Sequence, residues 1–261
     1  MDRLWRTLGI GIVCWVMTAA CAQAAEKELA GDRIATEQGD LIVHPVQHAM
    51  LLLQWNGKTI YVDPVGGAKV FAGLPRPDLV LVTDIHFDHL DPATLAGLIP
   101  AASQARIIAP KAVAEKLAQG PLSEKITVLA QGEKTELDGI VVRAVPMYNA
   151  TPERQKFHPK GRGIGYLVQL GGKTVYLAGD TEDIPEMRSL KGIDVAFLPM
   201  NLPYTMSVQQ AADAVRQFKP KIVYPYHYRN GDGTKADLES FRTLVGRESG
   251  VEVRLRQWYP R

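Results

Sequence analysis

The sequence predicts an α/β protein built as a layered sandwich of two similar β-rich halves. Residues 53–61 reappear as residues 168–176, and each copy has the pattern of a hairpin. The turns, formed by Asn56 and Gly57 in one copy and by two glycines in the other, supply the positive φ angles of a tight two-residue turn. Similar hairpins also arise by chance, so the repeat needs further support.

Further support comes from strands and helices that alternate in both halves. The apolar strands 78–82 and 194–198 follow the two hairpins at nearly the same offset, and residues 222–226 form another buried strand. Three helices are predicted from N-caps and apolar spacing: residues 92–98 after Asp91, residues 111–119, and residues 208–218 after Ser207. Two sheets packed face to face, with helices outside, satisfy this alternation.

Length and charge limit the class of protein. The 261 residues suffice for one large core, and residues 25–261 are predicted to form a single domain. The formal net charge is +2 and no block of like charges occurs, which argues against nucleic acid as a partner. A small-molecule partner is therefore expected.

Residues 1–24 have the pattern of a secretory signal peptide. Two arginines precede an apolar run over residues 8–20, and the small residues 22–24 offer a cleavage site. An uncleaved anchor is an alternative, although the run is shorter than the roughly 20 residues that span a bilayer. A lipid anchor at Cys21 is another. All three predict export, so we expect a periplasmic or secreted protein.

A cluster of possible metal ligands directly follows the apolar strand 79–82. Asp84, His86, Asp88 and His89 fall within six positions. A loop at a strand end can turn these side chains onto one point, and a divalent ion compensates for gathering carboxylates in a partly dry site. A single histidine is more often structural, but this clustering predicts a metal centre.

The cluster resembles the H-x-H-x-D-H signature of metallo-β-lactamase-fold hydrolases, with Asp84 where the family has its first histidine. Asp180, within a Gly-Asp-Thr sequence, is similar to the family's metal-bridging aspartate. His227, at the end of the strand 222–226, is similar to the terminal histidine, and Asp63 to an early structural aspartate. The resemblance implies a four-layer αββα sandwich of duplicated halves.

The resemblance also implies the metal ligands. It assigns Asp88, His89 and His227 to the second metal position, with Asp180 shared between two positions. His86 belongs to the first position, with Asp84 beside it.

The first position departs from the family pattern in a second place. Tyr148 stands where the family has a histidine, and His158 is a candidate to replace it, with a loop position outside the ligand set as the alternative. The centre is expected to hold one or two divalent ions. Zn²⁺ is favoured on family grounds, while the additional carboxylate brings Mn²⁺ or Fe²⁺ into competition.

The function implied by the resemblance is metal-dependent hydrolysis of an ester, lactone, amide or phosphodiester bond in a small molecule. A bound ion would lower the pKa of water toward ~7, and Asp88 would orient the resulting nucleophile. A non-catalytic binding or sensing module is the alternative, motivated by Asp84 and Tyr148. Redox chemistry at an iron pair, which in the family usually accompanies a flavin domain, ranks third.

A basic segment precedes the second hairpin. Its cations are Arg154, Lys156, Lys160 and Arg162. Beside a metal centre such a segment could hold an anionic group of the substrate, and an ordinary solvated loop is the alternative.

The remaining candidates are single aromatic, methionine and histidine side chains. Phe87, Tyr204 and Met206 could form the apolar wall of a substrate pocket, with ordinary packing as the alternative. His44 and His48 are expected to be structural or to support the ligands from behind.

Overall fold

The computed structural model describes residues 29–259, which form two seven-stranded sheets. The first sheet contains β1 (Asp32–Thr36), β2 (Gly39–Gln47), β3 (Met50–Trp55), β4 (Lys58–Val62), β5 (Leu79–Leu81), β6 (Arg106–Ala109) and β7 (Ile126–Val128), adjacent in that order. The second contains β8 (Lys134–Leu137), β9 (Ile140–Met147), β10 (Gly163–Leu170), β11 (Lys173–Leu177), β12 (Val195–Pro199), β13 (Ile222–Tyr226) and β14 (Glu252–Val253), again in chain order.

The two sheets share one topology. Strands β1 to β4 pair antiparallel, and β4 to β7 pair parallel. Strands β8 to β11 and β11 to β14 repeat this division. The repeated hairpins are β3–β4 and β10–β11, which close at Trp55 opposite Lys58 and at Leu170 opposite Lys173. The predicted pair of similar halves is therefore confirmed.

Five α-helices connect and cover the sheets in the described chain: α1 (Pro92–Leu98), α2 (Lys111–Leu117), α3 (Pro185–Arg188), α4 (Val208–Phe218) and α5 (Leu238–Val245). The Asp91 carboxylate accepts from the amide of Ala93 at the start of α1. Ser207 and Gln210 form a capping box at the start of α4, each satisfying a backbone amide of the other. Helix α2 ends two residues before the predicted boundary.

The strands are apolar on both faces because each sheet packs against the other sheet on one face and against helices on the other. In β3, Leu51 and Leu53 join the large core between the sheets, while Leu52 joins a smaller core with Leu95 of α1 and Val113 of α2. Alternate residues of a strand point to opposite faces, so this division follows from the period of two. The result is the predicted four-layer αββα sandwich.

The predicted signal peptide, residues 1–24, and Cys21 lie outside the described residues. No helix between residues 29 and 259 combines the length and apolar character needed to cross a bilayer.

Candidate metal centre

Strand ends from both sheets deliver the candidate ligands to one edge of the sandwich. Asp63 follows β4, and residues 84–89 follow β5. In the second sheet, Asp180 follows β11 and His227 follows β13. The neighbouring parallel strands end on the same side, so their loops meet there.

The backbone at three of these strand ends is left-handed. Asp63 has φ 46°, His227 has φ 45°, and Gly179, directly before Asp180, has φ 65°. Such angles are uncommon for residues with a Cβ and tend to occur where the surrounding structure enforces them. Here they bend the chain where the strands end, next to the clustered side chains.

At the predicted second metal position, the structure brings together Asp88, His89 and His227, with Asp180 beside them. Asp180 Oδ2 lies 3.3 Å from His89 Nε2 and 3.6 Å from His227 Nε2. Asp88 Oδ2 lies 3.3 Å from His227 Nε2. Two ligands about 2.0 Å from one tetrahedral ion stand roughly 3.3 Å apart, so this spacing suits atoms that share an ion.

Several of these atoms lack hydrogen-bond partners although they are buried. Within residues 29–259, His89 Nε2, His227 Nε2 and Asp180 Oδ1 are buried side-chain atoms without one. Leaving buried polar atoms unsatisfied is unfavourable, and three such atoms together point to a missing partner. A divalent cation fits this donor set of imidazole nitrogens and carboxylate oxygens.

The residues behind the second position orient its histidines. His89 Nδ1 donates to Asp63 Oδ2 at 2.7 Å, which directs Nε2 into the site. Asp63 is itself held by the backbone amide and the hydroxyl of Thr83, at 2.7 and 2.6 Å. The Asn201 amide lies 3.3 Å from His227 Nδ1. Such partners fix the ring orientation of metal-binding histidines.

The electrostatics of the position favour a cation. Burial opposes ionisation of Asp180, but the adjacent His227 and His89 hold its pKa well below the usual range. Burial likewise opposes charge on His89, yet the carboxylates of Asp180 and Asp63 raise its pKa well above the usual value. Burial raises the pKa of Asp63 despite its contact with His89. Asp180 therefore stays ionised, and its negative charge attracts a cation.

The first metal position brings together Asp84, His86 and His158. Asp84 Oδ2 lies 3.1 Å from His86 Nδ1 and 4.0 Å from His158 Nε2, and the latter lies 3.2 Å from Asp180 Oδ2. His158 Nδ1 lies 3.1 Å from the carbonyl of Tyr204 and 3.2 Å from Asn149 Nδ2, so Nε2 faces the centre. The structure therefore places His158 where the family pattern lacks a ligand.

Tyr148 turns away from the centre. Its hydroxyl donates to Glu186 Oε2 at 2.9 Å, and Lys160 stands 4.5 Å from the centre of its ring. The sequence did not decide whether Tyr148 or His158 approaches the first position. In the structure His158 lies there and Tyr148 does not.

A cavity of about 230 Å³ opens over both positions. It is lined by His86, Phe87, Asp88, Phe157, His158, Asp180, Asn201 and Tyr204. A larger cleft of about 640 Å³ lies between α5 and β14, but neither histidine nor aspartate lines it. The smaller cavity is therefore the candidate substrate site.

Comparison with known proteins decides the family. Residues 43–227 match the model of the beta-lactamase superfamily domain. The chain belongs to the β-lactamase superfamily. A UPF0173 metal-dependent hydrolase of Pyrococcus abyssi (strain GE5 / Orsay) is 35% identical over 215 residues, which cover 79% of this chain and 92% of that protein. The predicted family of metallo-β-lactamase-fold metal-dependent hydrolases is confirmed.

Solved structures agree with the superfamily assignment. A protein of Parabacteroides distasonis ATCC 8503, assigned as a metal-dependent hydrolase, is 40% identical with a TM-score of 0.77, covering 88% of this chain and 99% of that one. Igni18, a metallo hydrolase of Ignicoccus hospitalis, shares the fold at 24% identity and a TM-score of 0.69, with coverages of 83% and 95%.

Most of the basic segment of this superfamily member is paired within the chain. Arg154 bonds to Glu182 at 2.6 Å, Lys160 to Glu186 at 2.9 Å, and Arg162 to Asp84. Lys156 stands over the Phe157 ring, 5.0 Å from its centre. Its ammonium is thus the cation of this segment that the described structure leaves without a carboxylate partner.

Of the single side chains that the sequence suggested, some line the cavity and others pack elsewhere in the fold. Phe87, which is 87% exposed, and Tyr204 line the cavity, whereas Met206 is fully buried in the large core. His48 packs edge-on against His227, and its carbonyl accepts from the His227 amide. His44 bonds to the carbonyl of Ala30, outside the centre.

Sequence reasoning missed three participants. Asn201 and Phe157 carry no motif and line the cavity, Asn201 from the loop after β12 and Phe157 from within the basic segment. Arg162 was predicted, with the other cations of its segment, to face an anionic substrate group or solvent, but its guanidinium binds Asp84. Thr83, which holds Asp63, could have been found from the sequence, because it lies directly between the apolar strand 79–82 and the ligand cluster.

Proposed function

We propose that this superfamily member hydrolyses an ester, lactone, amide or phosphodiester bond of a small molecule at the cavity formed by its two candidate metal positions. The observation that carries the proposal is the convergence of His89 Nε2, His227 Nε2 and Asp180 Oδ1, buried and without partners, below an open cavity. A divalent ion held there would activate water and polarise the scissile bond. Zn²⁺ is the proposed ion, with Mn²⁺ and Fe²⁺ as competitors.

Asp88 is the proposed catalytic residue. Burial raises its pKa, but the close contact with His227 and the charge of His89 outweigh burial and lower it. Its carboxylate is therefore ionised, and it lines the cavity. An ionised carboxylate at this place can accept a hydrogen bond from the attacking water and aim its oxygen at the substrate.

The substrate is proposed to present an apolar group to the cavity mouth. Phe87, which is 87% exposed, lines the cavity together with Phe157 and Tyr204, and an exposed group of aromatic side chains at a cavity offers a surface for an apolar part of a ligand. An anionic group of the substrate would face Lys156, beside Phe157. The cavity volume admits a small acyl or phosphoryl group rather than a polymer.

A hydrolysis panel of ester, lactone, amide and phosphodiester substrates tests the proposal. Activity should fall by more than about 100-fold in His89→Ala and in Asp88→Ala, beyond the loss expected from removing an orienting partner. His44→Ala is the matched control, because His44 lies outside the centre, and it should retain activity. Full activity in His89→Ala would refute the assignment.

A binding or sensing module is the second candidate function. The observation that favours it is the engagement of Asp84 by Arg162, which alters the first position. Stoichiometric metal together with no turnover across the panel would support this function instead.

Export is proposed from residues 1–24. N-terminal sequencing of the mature protein from cell fractions tests it. Cleavage after Ala24 supports a periplasmic or secreted enzyme, and a lipid-modified N-terminus at Cys21 supports an anchored one. Recovery of the intact chain from the cytoplasm would contradict both.

A further inference from the structure

The two metal positions differ in whether the chain already satisfies their ligand atoms. At the second position, His89 Nε2 and His227 Nε2 are buried without a hydrogen-bond partner. At the first position, both oxygens of Asp84 and Nε2 of His86 have the Arg162 guanidinium within hydrogen-bond distance. The ligand atoms are similarly spaced at the two positions. The second position, however, has the greater need of an ion, because its histidine Nε2 atoms have no hydrogen-bond partner.

Arg162 causes this difference. Its Nε donates to Asp84 Oδ1 at 3.0 Å and its Nη2 to Asp84 Oδ2 at 2.7 Å, a two-pronged ion pair. Nη2 also donates to the carbonyl of Phe157. Asp84 is fully buried, and a buried carboxylate requires a positive partner. A guanidinium, which stays charged in proteins, supplies that partner permanently.

Arg162 also contacts His86. Its Nη2 lies 3.1 Å from His86 Nε2, while the Asp84 carboxylate and the Phe157 carbonyl are the nearer acceptors of its two N–H groups. His86 Nδ1 lies 3.1 Å from Asp84 Oδ2. An ion at the first position would therefore share Asp84 and the His86 ring with a guanidinium that already contacts both.

We propose that Arg162 acts as a built-in cation at the first position and competes with metal for Asp84 and His86. The centre then holds one divalent ion tightly, at Asp88, His89 and His227 with Asp180, and binds a second one weakly. This inference rests on the proposed metal ligands, but it does not depend on which bond is cleaved.

Metal binding by the purified protein tests the competition directly. Zn²⁺ and, separately, Mn²⁺ are titrated into metal-free protein by calorimetry, and the ions retained after gel filtration are counted by elemental mass spectrometry. The wild type should retain about one ion per chain. Arg162→Met should strengthen the second binding event by at least tenfold. Arg154→Met, which removes a paired arginine of the same segment, should match the wild type.

Several outcomes would overturn the inference. Two ions bound with similar affinity by the wild type would show that Arg162 does not compete, and this result needs no variant. A second event unchanged or weakened in Arg162→Met would make Arg162 a supporting partner of a ligand instead. If Arg162→Met does not fold, Arg162→Gln removes the charge but keeps a polar side chain, and an unchanged second event there would also contradict the competition. Failure of the wild type to bind any ion would instead refute the proposed function.

Discussion

Replacing Asp63 with asparagine removes the acceptor that orients His89 while keeping the shape of a fully buried side chain. The carboxylate accepts from His89 Nδ1 at 2.7 Å and from Thr83 twice. An asparagine retains one acceptor, which Thr83 can occupy, but its amide N–H then faces the N–H of His89. Two donors cannot bond, so the ring of His89 loses its orientation and basicity.

The magnitude follows from this single lost partner. Removing the carboxylate behind a metal-bound histidine costs about 10- to 100-fold in metal affinity. At about 1.4 kcal/mol for each factor of ten, the expected loss is roughly 1.4 to 2.8 kcal/mol. The Zn²⁺ affinity of the tight site is measured by competition with a chromophoric chelator, and circular dichroism checks that the variant folds.

Asp194→Asn is the matched control. Asp194 is also mostly buried and accepts from the Thr174 amide at 2.9 Å, but it pairs with Lys221 rather than with a histidine. Its replacement should leave Zn²⁺ affinity unchanged. A folded Asp63→Asn variant with wild-type affinity, or an equal loss in the control, would refute the reasoning.

Three further predictions concern stability. Stripping the metal should lower the melting temperature measured by calorimetry, because an ion at 1,000 times its Kd stabilises the folded state by about 4 kcal/mol; an unchanged melting temperature would contradict metal binding. Ser207→Ala should lower the free energy of unfolding by about 0.5–2 kcal/mol in urea titrations, since it removes the α4 capping box; no change would exclude that contribution. Burial raises the pKa of Tyr61 to about 12, so the fold favours its neutral form, and this stabilisation is complete below pH 10 and lost between pH 10 and 12. Tyr61→Phe should therefore lose less stability than the wild type over that interval in alkaline unfolding, and identical curves would contradict it.

The fold was predictable because its signals are local. Each hairpin carries its own turn residues, and apolar strands covered on both faces stand out as continuous runs. The capped helices begin where Asp91 and Ser207 predict. The end of α2 was predicted two residues too late, because the glycine and proline that mark the stop, Gly120 and Pro121, lie beyond the last helical residue, Leu117.

Much of the candidate site was predictable for the same reason. Asp84, His86, Asp88 and His89 are close in sequence, and Asp180 and His227 end strands that the apolar pattern reveals. The assignment of these residues as metal ligands stays a prediction, although the structure brings them together.

The first position could not be worked out from the sequence. Arg162 lies 78 residues from Asp84 in the chain, and nothing local distinguishes it from the other cations of its segment. His158 enters the centre only because its segment folds back over the strand ends. Tyr148 stands at the expected ligand position, yet its hydroxyl bonds to Glu186. Such long-range pairings depend on how loops pack.

The metal content of the purified protein tests the central claim most directly. Elemental mass spectrometry of the wild type, His89→Ala and His44→Ala should find at least one near-stoichiometric divalent ion in the wild type and in His44→Ala, and little in His89→Ala. Absence of metal from the wild type even after reconstitution, or full occupancy in His89→Ala, would contradict the account.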